Sequence, residues 1–472
     1  MTRTPSLFRN TFYTALSQGW HMLLAIVLFK VATKGFGPAG FGAYSLAMTL
    51  MYFVQMFDDI GINTLVTREI AKDVSRSRVI FGIALGTKIL LIPASLLFIA
   101  LYLSAFHYDA VTTRVILIFS VYGLITSLML LIFAAFRGHE RMDLEAAVAM
   151  TEKTLSTSLC TLSIFLGLGL IPFSILFTSS GALALLLALC ILNRRIHPAA
   201  VTMNAASSRL LLKDSSAFGV AMFITYVYGQ LAIPMLSQLQ DLEAVGIYGA
   251  AQKLMSFTSL IPTVFATAFF PRLTAVARDR EELSRIFSLG LKYLLMIAIP
   301  LLPGVFLLSD RLILLFADGQ FAESARVMRI LAFAASISFV NVFLPSLFGA
   351  TDHQRLMLVF LAIALACNIG CNWILIPGHS SIGAAWATVI TEFLANVISM
   401  GWVLKKVVRI TEFAYVFKVF FATGIMTAFL AAFPGFHLVP TVLAAVTLYF
   451  GILFAVRALS VGQIKTQLIG LK

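Results

Sequence analysis

The chain has 472 residues, 60% of them hydrophobic and only 12% charged, against about 25% charged and about 45–50% apolar in soluble proteins. The depletion runs along the whole length, which excludes a soluble domain with one anchor and leaves lipid as the solvent around the apolar surface. The net charge of +13 would suit nucleic acid, but the basic residues stand in short clusters between apolar runs, as they do in membrane proteins, so no nucleic-acid partner is expected.

Backbone polar groups in lipid must be paired within the protein, so only helices or a closed barrel can span it. The apolar runs are continuous and lack the period-two alternation of barrel strands. The predicted fold class is therefore an all-α polytopic membrane protein, with ~20 apolar residues per span. In chain order, Arg3 and Arg9 precede a first span over 11–33. No small-residue cleavage site follows, so it reads as a retained helix rather than a signal peptide. The second span, 41–63, ends in Asp58 and Asp59 beside a basic loop, where a solvated pair is expected. Spans follow at 79–104, 112–136, 146–169 and 172–193. A basic stretch, 194–214, then places Arg209–Lys213 where a segment can lie along a membrane surface. The remaining spans are 215–238, 245–268, 286–308, 326–349, 355–376, 380–404, 413–434 and 438–458. This set of fourteen gathers the loop Lys and Arg residues on one side and leaves only Lys34, Arg114, Arg311, Arg326 and Arg329 on the other. A missed span would destroy that bias, which puts both termini in the cytoplasm of a cell (inner or plasma) membrane protein.

Shifted by 204 residues, 42–91 aligns on 246–295 without a gap. Gly42, Tyr44, Ala47, Leu50, Met51 and Phe53 meet Gly246, Tyr248, Ala251, Leu254, Met255 and Phe257. Arg68, Arg76 and Lys88 meet Arg272, Arg280 and Lys292. A shift of 205 brings Leu170-Ile171-Pro172 onto Leu375-Ile376-Pro377. The offset spans six helices, an even number, so the repeats are parallel and related by an axis along the membrane normal, a plan used by transporters. The expected organisation is a six-helix lobe over 1–193, a cytoplasmic basic linker over 194–214, a second six-helix lobe over 215–404, and two extra helices with a tail over 405–472.

The turn Gly35-Phe36-Gly37-Pro38-Ala39-Gly40-Phe41-Gly42, the run Asp58-Asp59-Ile60-Gly61 with Thr67-Arg68-Glu69-Ile70-Ala71-Lys72-Asp73, and Val245-Gly246-Ile247-Tyr248-Gly249-Ala250-Ala251-Gln252-Lys253 are similar to those of a known family. So is Ile376-Pro377 with Ile382-Gly383-Ala384-Ala385. In this order they resemble the oligosaccharide-lipid flippases (Wzx type) of the multidrug/oligosaccharidyl-lipid/polysaccharide exporter superfamily, over nearly the whole chain. The resemblance implies two six-helix bundles, a central cavity lined mainly by helices one, two, seven and eight, alternating access, and a lipid-pyrophosphate-linked glycan as cargo. The chain departs from relatives that carry an acidic residue in helix seven, where Phe218–Leu239 offers only Gln230 and Gln238 as large polar groups.

No catalytic constellation stands out, and no cofactor is implied. Gly82 to Lys88 resembles a nucleotide loop only superficially. Cys160, Cys190, Cys367 and Cys371 lie in apolar segments, and Cys367 and Cys371 have no His or acidic companion to complete a metal site. Charges within spans are costly and so face a cavity or a partner. Lys253, in the predicted cavity helix eight, leads the candidates for an anionic headgroup, because Lys is a usable point charge for phosphate. Lys88, its repeat mate Lys292, Arg137 and Lys30 follow. Lys153 follows Glu152, which would compensate it locally. Glu392 in helix twelve is a coupling candidate or a packing partner of Asn368 and Asn372, and Gln230 is a further polar cavity residue. Pro234 and Pro262 are candidate hinges, since Pro removes a backbone donor.

The expected function is translocation of a polyprenyl-pyrophosphate-linked oligosaccharide, of the polysaccharide or O-antigen precursor type, from the cytoplasmic to the outer leaflet. The implied partners are that glycan-lipid, membrane lipids, and polysaccharide polymerase and glycosyltransferase machinery. The alternative is a cation-coupled multidrug exporter of the same superfamily. A membrane glycosyltransferase or polymerase is a third reading, disfavoured by the lack of paired carboxylates and of a large extramembrane loop.

Overall fold

The computed structural model describes residues 7–459 apart from 318, 411–413 and 434, so Arg3 of the first basic cluster lies outside it. The described residues are helical with short connections and no strand. The first helices are α1 (Leu7–Asp59), α2 (Ile62–Lys72), α3 (Ser77–Ala105), α4 (Ala110–Gly138), α5 (Met142–Phe165) and α6 (Leu170–Arg195). They are followed by α7 (Ala205–Gln230), α8 (Ala232–Leu239), α9 (Leu242–Ser256), α10 (Leu260–Ala275) and α11 (Arg280–Phe316). The last are α12 (Ser324–Ala350), α13 (Gln354–Lys406), α14 (Ala414–Ala432) and α15 (Leu438–Ala455).

A straight helix of 53 residues, the length of α1, would reach about 80 Å at ~1.5 Å per residue, far beyond a hydrocarbon core of ~30 Å. The chain breaks α1 at Gly37, whose φ of 64° suits a residue without a Cβ, and Pro38 follows with no N–H to donate. The spans expected at 11–33 and 41–63 occupy its two arms. Helix α13 repeats the device, with a break at Ser380 after Pro377. Ten helices are long and apolar enough to cross a membrane among the described residues, or eleven with the bent pair 205–216 and 218–230. A count of fourteen therefore depends on dividing α1 and α13 and on admitting the less apolar α5.

The chain forms two compact units, Met1–Gly249 with Phe316–Gln320, and Ala250–Leu315 with Phe321–Lys472. In the first, α4 is the central helix and packs on α1, α2, α3 and α6. Its Ser120, Ser127, Ala134 and Ala135 are buried among Phe119, Leu131 and Phe136. Small residues let helices approach closely where lipid gives no hydrophobic drive for association. Asp109 starts α4 by accepting from the amides of Val111 and Thr112 at 3.0 and 3.3 Å, as an N-cap does. The repeat mates Gly42 and Gly246 meet within this unit. A Cβ on Gly42 would stand 1.7 Å from the Leu242 carbonyl oxygen, and one on Gly246 would stand 1.9 Å from that of Pro38.

The connection before α7 lies along α3. Thr202 N donates to the Gly82 carbonyl at 3.0 Å, and a Cβ on Gly86 would sit 2.4 Å from Thr202 O. The glycines of the nucleotide-like string thus make room for the linker backbone. Asn204 then caps α7 through the amides of Ala206 and Ser207, so Arg209–Lys213 belongs to the first turns of that helix.

In the second unit Phe269, Phe287, Phe339 and Phe343 are buried with α14 and α15 residues such as Val419, Tyr449 and Leu453. The Tyr449 hydroxyl donates to Met296 O at 2.6 Å. The two helices outside the duplication thus share the core of this unit.

Candidate functional site

Helix α1 ends in Asp58 and Asp59, and a left-handed turn at Gly61 (φ 80°) turns the chain into α2. This brings the end of α1 against α3 and α4. Lys88 of α3 is fully buried there, with Nζ 3.2 Å from Asp59 Oδ1 and 3.9 Å from Asp58 Oδ2. It donates to Ser127 Oγ at 2.7 Å and to Ser127 O at 3.3 Å, and the Ser127 hydroxyl donates to Asp58 Oδ2 at 2.5 Å. Asp58 is wholly buried, and its Oδ1 has no hydrogen-bond partner. The solvated aspartate pair expected from sequence is therefore corrected. A charged residue two turns into a span requires a counter-charge, and α1 supplies it.

Beside this cluster, within the first unit, lies a pocket of about 480 Å³, inside the ~300–1,000 Å³ range of small-ligand sites. Its walls include Tyr52, Gln55, Asp59, Asn63, Ser127 and Tyr226, and Arg68 and Arg137 also line it. Tyr52 and Tyr226 are stacked, with centroids 6.2 Å apart and planes at 28°. Gln55 donates to Thr126. Asn63 N donates to Asp59 Oδ1 at 3.1 Å, while Asn63 Oδ1 is buried without a partner.

Among the charged lining groups the two arginines are the more exposed, at 48% for Arg68 and 42% for Arg137, against 13% for Asp59. They therefore form the rim. Arg137 Nε donates to Glu145 at 2.8 Å, and one Nη of Arg137 also binds that carboxylate. Arg68 binds Glu69 Oε1 through Nε and one Nη at 3.0 Å, and its guanidinium stands 5.8 Å from the Phe218 ring centroid. Hydrogen bonds from Lys72, then from Arg68, hold the Glu69 carboxyl below the usual range. Each guanidinium has five N–H donors, so neither carboxylate exhausts it. The arrangement can hold a ligand with an anionic group at the mouth and hydrogen-bonding groups inside.

The remaining candidates are dispersed. Lys30 on α1 and Lys253 on α9 are exposed, and Gln230 is the partly buried last residue of α7. Lys292, the repeat mate of the fully buried Lys88, is only partly buried and lies 5.7 Å from the Tyr415 ring centroid. Glu392 accepts from Asn341 Nδ2 at 2.6 Å, whereas Asn372 bonds Asn368 at 2.9 Å and Asn368 bonds Thr391 at 3.3 Å. The expected pairing of Glu392 with Asn368 and Asn372 is thus replaced. Adjacent helical residues point about 100° apart, so Thr391 faces the asparagines and Glu392 faces α12. Glu152 accepts from the Tyr122 hydroxyl at 3.0 Å. Pro234 stands just past the α7–α8 break and Pro262 just past the turn joining α9 to α10. Arg68, Asn63 and the tyrosine pair were not singled out from sequence. The signal available was the alignment of Arg68 on Arg272.

A family model described as "Polysaccharide biosynthesis protein" matches residues 7–277, more than half of the chain. The chain belongs to that family. A second model, MatE, matches residues 217–374. The chain is 23% identical over 426 residues to a putative O-antigen transporter of Escherichia coli K12, covering 85% of this chain and 98% of the relative. It is 22% identical over 409 residues to the succinoglycan biosynthesis transport protein ExoT of Rhizobium meliloti, covering 84% and 80%. In fold it is similar to the lipid II flippase MurJ in an inward closed conformation, with a TM-score of 0.74 at 15% identity over 95% of this chain and 98% of the other. This polysaccharide biosynthesis protein is a multi-span membrane protein with a MurJ-like fold.

Proposed function

We propose that this protein is a flippase that carries a polyprenyl-pyrophosphate-linked oligosaccharide from the cytoplasmic to the outer leaflet. The observation that carries the reading is the pocket of the first unit, with Arg68 and Arg137 at the mouth of a hydrogen-bonding interior. Arginine forks match phosphate oxygens, while a stacked tyrosine pair, amides and a carboxylate suit a sugar. Family membership and the printed names of the relatives, an O-antigen transporter and a succinoglycan transport protein, support the same cargo class. Lys253 and Lys30, both exposed, are proposed as further phosphate contacts, and Lys292 as a third.

The two parallel repeats suit alternating access, with one lobe rocking against the other, and Pro234 and Pro262 are the proposed hinges. The charge bias of the loops supports cytoplasmic termini in the cell membrane. A glycan polymerase and glycosyltransferases are proposed partners, because they would consume and supply the cargo. The test is the leaflet distribution of polyprenyl-linked glycan in cells lacking the protein. Accumulation on the cytoplasmic leaflet, relieved by the wild type and not by the Arg68→Gln/Arg137→Gln double variant, is expected. An unchanged distribution would refute the reading.

The MatE match over 217–374 favours a second reading, a cation-coupled multidrug exporter with Glu392 as its coupling carboxylate. It requires that expression lower the accumulation of cationic drugs and that Glu392→Gln abolish the effect.

A further inference from the structure

The polarity of the pocket changes with depth. Arg68 and Arg137 stand at its mouth, whereas the carboxylate of Asp59 lines its interior. Asp59 lines the pocket, and its two close contacts, Lys88 Nζ at 3.2 Å and Asn63 N at 3.1 Å, both fall on Oδ1. Two carboxylates, Asp58 and Asp59, meet one ammonium, Lys88, whose Nζ is further tied to Ser127. The inner wall therefore presents the Asp59 carboxylate to a ligand, and Lys88 is held away from that ligand by its own hydrogen bonds.

We propose that this pocket sorts cargo by the charge of the sugar adjoining the phosphate, and that Asp59 is the specificity-determining residue. A neutral or amino sugar fits there, and an acidic sugar is rejected. The inference rests on the flippase reading and deepens it. With the phosphate at the two arginines, the adjoining ring lies in the interior, where its hydroxyl or ammonium protons meet the Asp59 carboxylate. A sugar carboxylate in the same place would exchange water for the Asp59 carboxylate. An unpaired like charge of this kind is a standard means of rejecting the wrong partner. Lys88 acts as a positioning residue, because it fixes the Asp59 carboxylate through Oδ1.

The test is competitive binding to the purified full-length protein of polyprenyl-pyrophosphate-linked glucosamine, N-acetylglucosamine and glucuronic acid. The glucuronic acid probe is expected to bind at least about tenfold more weakly than the N-acetylglucosamine probe, a gap worth ~1.4 kcal/mol, with glucosamine at least as tight as N-acetylglucosamine. In Asp59→Asn the ratio between the acidic and neutral probes is expected to fall to about threefold or less, a change that a purely structural role for Asp59 would not produce. Equal or tighter binding of the glucuronic acid probe to the wild type overturns the inference without any variant, as does an unchanged ratio in Asp59→Asn. Binding of none of the three probes overturns the flippase reading, and this inference falls with it.

Discussion

Replacing Lys88 by Met removes the only cation among the described residues in contact with two buried or nearly buried carboxylates, while keeping the volume and length of the side chain. At an effective dielectric of ~20, the contacts at 3.2 and 3.9 Å correspond to about 5 and about 4 kcal/mol of attraction. Desolvation offsets most of this in the intact cluster, so the cluster itself adds little net stability. Removing one partner is different, because Asp58 is left wholly buried with a single hydroxyl donor, Ser127. The expected cost is ~3–5 kcal/mol. The assay is a double-mutant cycle of Lys88→Met and Asp58→Asn on detergent-solubilised protein, read by intrinsic-fluorescence unfolding. Lys88→Met is expected to unfold well below the wild type, and the double variant to recover much of the loss, with a coupling of at least ~1 kcal/mol. A Lys88→Met protein as stable as the wild type, or strictly additive losses, would refute the buried ion cluster.

Three further outcomes follow from the geometry. Arg137→Gln and Arg68→Gln are each expected to weaken binding of polyprenyl-pyrophosphate-linked N-acetylglucosamine by about tenfold or more, in line with ~1.5–3 kcal/mol for a hydrogen bond to a charged group; equilibrium binding to the purified protein measures this. Gly246→Val places a Cβ 1.9 Å from Pro38 O, so the seam between repeat mates must part, at a cost of ~1–3 kcal/mol or more. A Ser45→Cys reporter, buried beside Gly249 in the parent, is then expected to react with a membrane-impermeant maleimide only when Gly246→Val is present. Gly86→Leu drives a side chain into the linker at Thr202, and faster proteolysis within 196–204 is the expected readout.

Much of the helical plan is legible in the sequence because lipid imposes it. Runs of ~20 apolar residues with charge at their ends have few alternative structures. The Gly37-Pro38 turn is legible too, since one residue tolerates the left-handed backbone and the next cannot donate. Gly42 and Gly246, which the 204-residue shift aligns, stand in contact in the fold. The partners of the intramembrane charges are not legible. Lys88 finds Asp58, Asp59 and Ser127, 29 to 39 positions away, only after α1, α3 and α4 pack. Glu392 finds Asn341 rather than Asn368 for the same reason, since a one-residue step on a helix redirects a side chain by about 100°. Repeat alignment also misleads at this level. Lys88 and Lys292 align, yet one is sealed in an ion cluster and the other lies beside Tyr415, from a helix outside the repeat. Arg68 carried a signal that charge counting obscured, because a loop arginine used for topology is also available to a ligand.

The central claim is that the pocket of the first unit holds the phosphate of a lipid-linked sugar during transfer between leaflets. The most direct test is transbilayer movement of fluorescent polyprenyl-pyrophosphate-linked N-acetylglucosamine in vesicles reconstituted with purified protein, compared with the Arg68→Gln/Arg137→Gln variant. The account predicts movement with the wild type that falls by about two orders of magnitude in the double variant, if each arginine contributes the tenfold or more expected of a charge-assisted hydrogen bond. Movement at equal rates in both proteins would contradict it.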